Sequence, residues 1–286
     1  MSAAGPIVVA APSAWQRATR SGGLAIGLVL ALSMVAIALA APWLAPYDPN
    51  GQDVLLKLEP PSAAHWFGTD DFGRDVLSRV IYGSRISLFV GAIATLAGVV
   101  AGTIIGVVSG YFGGLVDRLV TALTDVLLSF PQLIMGLILV AVLGASLTNL
   151  ILAIAITAVP AFIRVARAST LAMKERDFVD ACRSLGFGDP RIMFMHVLPN
   201  ILDEVVVMGS LWFAAAIRTE STLAFIGLGV PPPTATWGGI IRDGFDNLLD
   251  APWLSIFPSV AILVIMIALN MIGDGLRDAT DPRMPQ

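Results

Sequence analysis

Apolar residues make up 56% of this 286-residue chain and charged residues 13%, with a mean hydropathy of +0.82, whereas a soluble domain is about one quarter charged. An ordinary soluble protein is excluded; nearly the whole chain belongs to one membrane domain with one sizeable loop. The net charge of −4 decides nothing about orientation, which follows where Lys and Arg are placed.

A bilayer core is crossed by roughly 20 largely apolar helical residues, and six runs qualify, giving an all-α membrane protein of six transmembrane helices. Residues 1–21 read as a cytoplasmic amino-terminal segment and 22–43 as the first membrane helix, with its apolar run from Leu24 to Ala41. Arg17, Arg20 and Ala38-Leu39-Ala40 also fit a signal peptide with a small-residue cleavage site. The run is longer than the usual h-region of roughly 7–15 residues, so it is read as a retained span.

Residues 44–85 form an external loop. Pro42, Pro46, Pro49, Pro60 and Pro61 make its beginning an extended, turn-rich arm. From Gly73 to Ser87, Val76, Leu77, Val80 and Ile81 oppose Arg74, Asp75, Ser78 and Arg79. That pattern fits an amphipathic helix at the membrane surface, and it equally fits the polar lead-in of the second span.

Residues 86–274 hold a five-helix core with spans at Ile86 to Ser109, Leu119 to Leu143, Leu147 to Ile163, Ile201 to Ile217 with an extension towards Leu228, and Trp253 to Ile272. Gly98, Gly102, Gly106 and Gly110 recur every fourth residue, leaving a smooth face for close helix packing. Pro131, Pro160 and Pro258 are expected to bend their spans. Asp125, Arg218, Glu220 and Asp274 are the ionisable groups at membrane depth, and such charges face protein or water. Asp125 is expected to hold neighbouring helices together. Arg218 and Glu220, two residues apart, do not face one another on a helix, so each is expected to find a partner elsewhere.

Between the fourth and fifth spans, residues 168–200 form a polar interruption. Within it Phe178, Ala181, Cys182 and Leu185 fall at i, i+3, i+4 and i+7, one apolar stripe on a short helix that Gly186 stops. A helix this short, outside lipid, needs a groove on a partner. Arg17, Arg20, Arg118, Arg164, Arg167, Lys174, Arg176, Arg183, Arg191, Arg277 and Arg283 fall on one side if the amino terminus is cytoplasmic, with residues 275–286 a cytoplasmic tail. Lys57, Arg74, Arg79, Arg85 and Arg242 are the exceptions. The single cysteine, Cys182, excludes an internal disulfide.

Enzymatic readings fail on missing groups. The only lysines, Lys57 and Lys174, do not follow a glycine, so no Gly-Lys-Ser/Thr phosphate loop exists. His65 and His196, the only histidines, lie on opposite faces of the membrane in this topology and cannot build a two-histidine zinc site. His196 is expected to pack against, or hydrogen-bond, the turn at Pro199. No catalytic, cofactor-binding or metal-binding residue is assigned, and an intramembrane hydrolase is disfavoured.

Asp180-Ala181-Cys182, Gly186 and Leu198-Pro199 match the spacing of the E-A-A motif in permease subunits of bacterial ATP-binding-cassette importers. His65-Trp66-Phe67-Gly68-Thr69-Asp70 with Gly73 to Arg79, Leu223 to Val230 with Pro231 to Pro233 and Trp237-Gly238, and Asn270 to Asp278 with Asp281-Pro282-Arg283 extend the likeness. Together they resemble the second permease subunit of dipeptide, oligopeptide and nickel importers.

The resemblance implies a type I importer permease fold with a cytoplasmic coupling helix, in the bacterial inner membrane, with both termini cytoplasmic. It assigns ATPase coupling to Phe178, Asp180, Ala181, Cys182, Arg183, Leu185, Gly186 and Pro199. It also implies a homologous second permease, two cytoplasmic ATP-binding subunits that hold ATP and Mg, and an extracytoplasmic solute-binding protein. This chain would bind no cofactor and no nucleic acid. Asp180 replaces the motif's glutamate, Cys182 its usual alanine, and His196 a common isoleucine. A membrane scaffold or receptor subunit that binds an ATPase without transporting is the alternative.

Overall fold

The computed structural model describes residues 22–280; Arg17, Arg20 and the Asp281-Pro282-Arg283 segment lie outside them. Among the described residues every regular element is a helix, the form in which a lipid-embedded backbone satisfies its own hydrogen bonds. The labelled elements are α1 (Gly22–Leu39), α2 (Val76–Phe112), α3 (Gly114–Ser129), α4 (Gln132–Leu143), α5 (Leu147–Lys174), α6 (Asp177–Ser184), α7 (Asp189–Ile226), α8 (Trp237–Phe245) and α9 (Trp253–Thr280).

The second span begins earlier than hydropathy alone indicates. α2 runs without interruption for 37 residues, so the amphipathic stretch of the external loop is its first turns and not a separate surface helix. Asp75 fixes the start by accepting from the Ser78 amide and hydroxyl, both at 2.7 Å. At 1.5 Å per residue the helix is about 55 Å long, well over the roughly 30 Å bilayer core, so its first turns stand above the lipid.

The third span is broken. α3 and α4 meet at 93° across Phe130 and Pro131, because proline supplies no amide and drives the residue before it out of the helical region. Phe130 is accordingly extended, with φ −86° and ψ 135°. Pro160 and Pro258, in contrast, lie inside continuous helices.

Packing fixes the directions. A methyl on Gly98 would meet Ala158, on Gly102 Phe162, on Gly106 Ala166 and on Gly110 Thr170, at 2.6 to 3.0 Å between Cβ positions. The constant register means that α2 and α5 run parallel with their backbones almost touching. Two parallel neighbours need a return crossing, and α3 with α4 makes it, so the broken pair counts as one span and the spans number six among the described residues. α1 lies against α9, with Leu24 beside Gly275 and Gly27 beside Ala268 and Met271. The amino end of α1 and the carboxyl end of α9 therefore share the end of the bundle that carries α6.

Replacing Gly102 with valine forces a branched side chain against the Val159 carbonyl, 2.7 Å from the Cβ position. Thermal unfolding of detergent-solubilised protein is expected to show a loss of about 1–3 kcal/mol. Gly209→Ala, whose methyl would sit 3.5 Å from Val99, is expected to leave the transition unchanged.

Candidate functional site

α6 is eight residues long and ends in a Schellman turn. The Phe187 amide donates to the Cys182 carbonyl at 3.1 Å and the Gly186 amide to the Arg183 carbonyl at 2.9 Å. Gly186 has φ +77°, and nothing lies within 4 Å of the place its Cβ would take. Glycine is needed there for its backbone and not for space.

The apolar stripe on α6 is divided between two faces. Cys182 turns inward together with Val179, at 9% and 0% exposure, while Phe178 and Leu185 are 38% and 73% exposed and Ala181 is also outside. The reason is that the chain supplies its own groove for one side of the helix, formed by Val107, Tyr111, Ala166, Ile192 and Val197. Val179 and Cys182, three apart, are the anchor, and Val179 was missed by sequence reasoning. Its signal was the i, i+3 pairing with Cys182, which competed with the longer stripe.

The flank of the outward face carries Asp180 and Arg183, paired at 3.1 Å with both side chains largely in solvent, a contact worth about 0–1 kcal/mol. Beneath them the Tyr111 hydroxyl donates to Asp189 Oδ1 at 2.8 Å, joining the end of α2 to the start of α7. Arg191 lies 4.3 Å from the Phe187 ring centroid, and the other neighbour of that ring is His196, stacked at 5.8 Å. His196 thus packs on Phe187, and its carbonyl accepts from Asn200 Nδ2 at 2.6 Å, beside Pro199. Between them α7 opens into a π-helical turn over Met193–Val197, directly before Pro199, which is exposed. Sequence gave no sign of that wide turn, a form that is rare within α-helices.

α3 is tied to α5 by two Asp–Arg pairs. Arg167 donates to both carboxylate oxygens of Asp117, the Nη2 bond being 2.6 Å, and the Ser109 hydroxyl donates to the same group at 2.7 Å. Arg164 donates to Asp125 at 2.8 Å, so Asp125 does link neighbouring helices. Arg218 is exposed and has no ion-pair partner among the described residues, whereas Glu220 is fully buried. Glu220 takes a hydrogen bond from the Ser221 hydroxyl at 3.2 Å beside Ser87 and Thr236, and its Oε1 has no partner among the described residues.

At the opposite end the loop motif folds into a clamp. His65 Nδ1 lies 2.9 Å from Asp75 Oδ1. Asp70 Oδ1 accepts from the Arg74 amide at 3.0 Å and Oδ2 from Arg74 Nε at 2.6 Å, and Arg79 Nε lies 3.4 Å from the same Oδ2. Arg74 and Arg79 also reach Asp243 of α8, at 3.4 and 3.6 Å. Burial pushes the Asp243 carboxyl above its ordinary value, and the two guanidinium groups pull it back. Trp237, with no exposed surface, donates from Nε1 to the Val80 carbonyl at 3.0 Å, while Trp253 Nε1 donates to the Thr69 carbonyl at 3.1 Å.

Residues 102–286 match the family of binding-protein-dependent transport system inner membrane components, and residues 13–61 match the N-terminal membrane domain of oligopeptide transport permease C. The chain belongs to this permease family. A putative peptide transport system permease protein of Brucella suis is 40% identical over 279 residues, covering 98% of this chain and 93% of that one. A dipeptide transport system permease protein of Alkalihalophilus pseudofirmus is 40% identical, covering 91% and 85%. A glutathione transport system permease protein of Salmonella typhimurium is also 40% identical, covering 94% and 89%. Among solved structures, the inward-facing methionine ABC transporter MetNI matches with a TM-score of 0.58 at 18% identity, over 71% of this chain and 97% of that one. The fold is that of a type I importer permease, and the protein is a multi-pass inner-membrane permease subunit of an ABC importer.

Arg79→Ala would remove a buried cation from between Asp70 and Asp243. With Arg74 left as the partner of both carboxylates, the change is expected to cost roughly 1–3 kcal/mol, read as a lowered unfolding midpoint of the solubilised protein. The exposed Arg183→Ala change is expected to move it by less than about 1 kcal/mol.

Proposed function

We propose that this permease forms half of the pathway for peptides or a similar small solute and is driven through α6. One observation carries the reading: a helix anchored from beneath by Val179 and Cys182 holds Phe178, Ala181 and Leu185 uncovered beside Asp180 and Arg183. An apolar ridge fixed at the end of a membrane bundle calls for a groove on another chain. In this reading the groove belongs to one of two ATP-binding subunits, which hold ATP and Mg; a homologous permease completes the pathway, and an external solute-binding protein delivers cargo to the clamp end.

The placement of Arg164, Arg167, Lys174, Arg176, Arg183 and Arg191 around α6 supports a cytoplasmic position for it, and for both termini. The printed names of the relatives support peptide cargo. α6 lies between α5 and α7, so a displacement of α6 is delivered to both. Asp189 and the π turn lie where α7 would pivot. Reversing a two-state population from 1:99 to 99:1 takes about 5.5 kcal/mol of differential contact, which the outward face of α6 would supply.

In reconstituted transporter, Leu185→Asp is expected to lower ATP-dependent peptide uptake at least tenfold while leaving the unfolding midpoint unchanged, since that side chain is outside the bundle. Gly186→Val is expected to lower uptake as well, by straining the left-handed turn that ends α6, and Gly186→Asn to keep most of the activity. Full uptake by Leu185→Asp would assign the contact elsewhere.

A further inference from the structure

At the clamp end a crevice of about 790 Å³ opens between α1, α2 and the turn carrying Asp48. Val35 and Leu39 of α1 form one wall, Phe89 and Ala92 of α2 the other, and Phe213 of α7 the back. The mouth is polar, with Asp48, Asn50, Tyr82 and Arg85. Arg85 is exposed, has no ion pair among the described residues, and rests 5.9 Å from the centroid of the Tyr82 ring. Asp48 Oδ1 accepts from the Asn50 amide at 2.9 Å, and its other oxygen accepts nothing among the described residues.

This mouth is held in place by α2. The Tyr47 amide donates to Ser78 Oγ at 3.1 Å, and Arg79 Nη1 donates to the Pro49 carbonyl at 3.2 Å. Arg85 stands where the apolar stretch of α2 begins. From there to Ala92 the wall descends about 10 Å towards the bilayer centre. Trp43, 84% exposed, and Tyr47 lie in the segment leading to the turn, as side chains of the lipid–water interface do.

An opening with one charge of each sign above an apolar slot matches an amphiphile. A packed helix would bury Arg85 and Asp48 without counterparts, at a desolvation cost. We propose that the crevice holds a phospholipid with an ammonium headgroup. Its phosphate takes hydrogen bonds from Arg85 and the Tyr82 hydroxyl, its ammonium donates to Asp48, and one acyl chain lies against Phe89 and Ala92.

Native mass spectrometry of the solubilised transporter incubated with phosphatidylethanolamine or phosphatidylcholine of equal chain length tests this. Phosphatidylethanolamine is expected to be retained roughly tenfold better, since a quaternary ammonium cannot donate to Asp48 and one charge-assisted hydrogen bond is worth about that factor. Asp48→Asn is expected to remove the preference and keep phosphatidylcholine binding, Arg85→Gln to lower retention of both lipids roughly tenfold, and Ala92→Trp to release both. Unfolding midpoints check that each variant is folded. Equal retention of both lipids by the unaltered protein overturns the proposal, as does a photo-crosslinker at Ala92 that captures the partner permease in place of lipid. Neither readout depends on uptake, so this inference and the cargo assignment fail separately.

Discussion

The contact on which the rest of the molecule depends is the backbone seam between α2 and α5. Four glycines bring the two helices closer than any side chain would permit, with Val159, Ile163 and Arg167 carbonyls under 3.0 Å from the missing Cβ positions. In a membrane, where lipid tails are as apolar as the helices, association of this kind comes from van der Waals contact and not from exclusion of water. The seam is therefore stiff, and its two helices lead to the two working ends. α2 starts in the charged clamp formed by the loop before it; α5 leads into α6.

This arrangement explains how an eight-residue helix keeps a fixed pose. Isolated, it would not form. Here Val179 and Cys182 sit in a groove whose walls come from α2, α5 and α7, so the pose of α6 reports the relative positions of those three helices. A force on the uncovered side is passed to all of them. The Tyr111–Asp189 hydrogen bond and the π turn border the same groove.

Charge is distributed to match. Buried guanidinium groups at the clamp are shared among Asp70 and Asp243, whereas the solvent-facing Asp180–Arg183 pair on α6 is weak. α3 is held to α5 through Asp117 and Asp125 and α4 packs into the core through Val140, while Leu119, Leu123, Val126 and Ile138 are left uncovered.

Much of this was present in the order of residues, because lipid leaves few choices. Six apolar runs, the glycine repeat, the stop at Gly186 and the break at Pro131 follow from local chemistry: hydrophobic length, the missing Cβ, the left-handed turn, the missing amide. Periodicity stated that α6 has an apolar side, but not whether its own chain would cover part of it, and that is why Cys182 and Phe178 were grouped although folding separates them. Likewise nothing local pairs Asp125 with Arg164, 39 positions away, leaves Arg218 outside while Glu220 is enclosed, or joins the loop helix to the second span. Those outcomes belong to the tertiary structure, since they are set by which distant surfaces meet, and a contact between distant surfaces has no period along the chain.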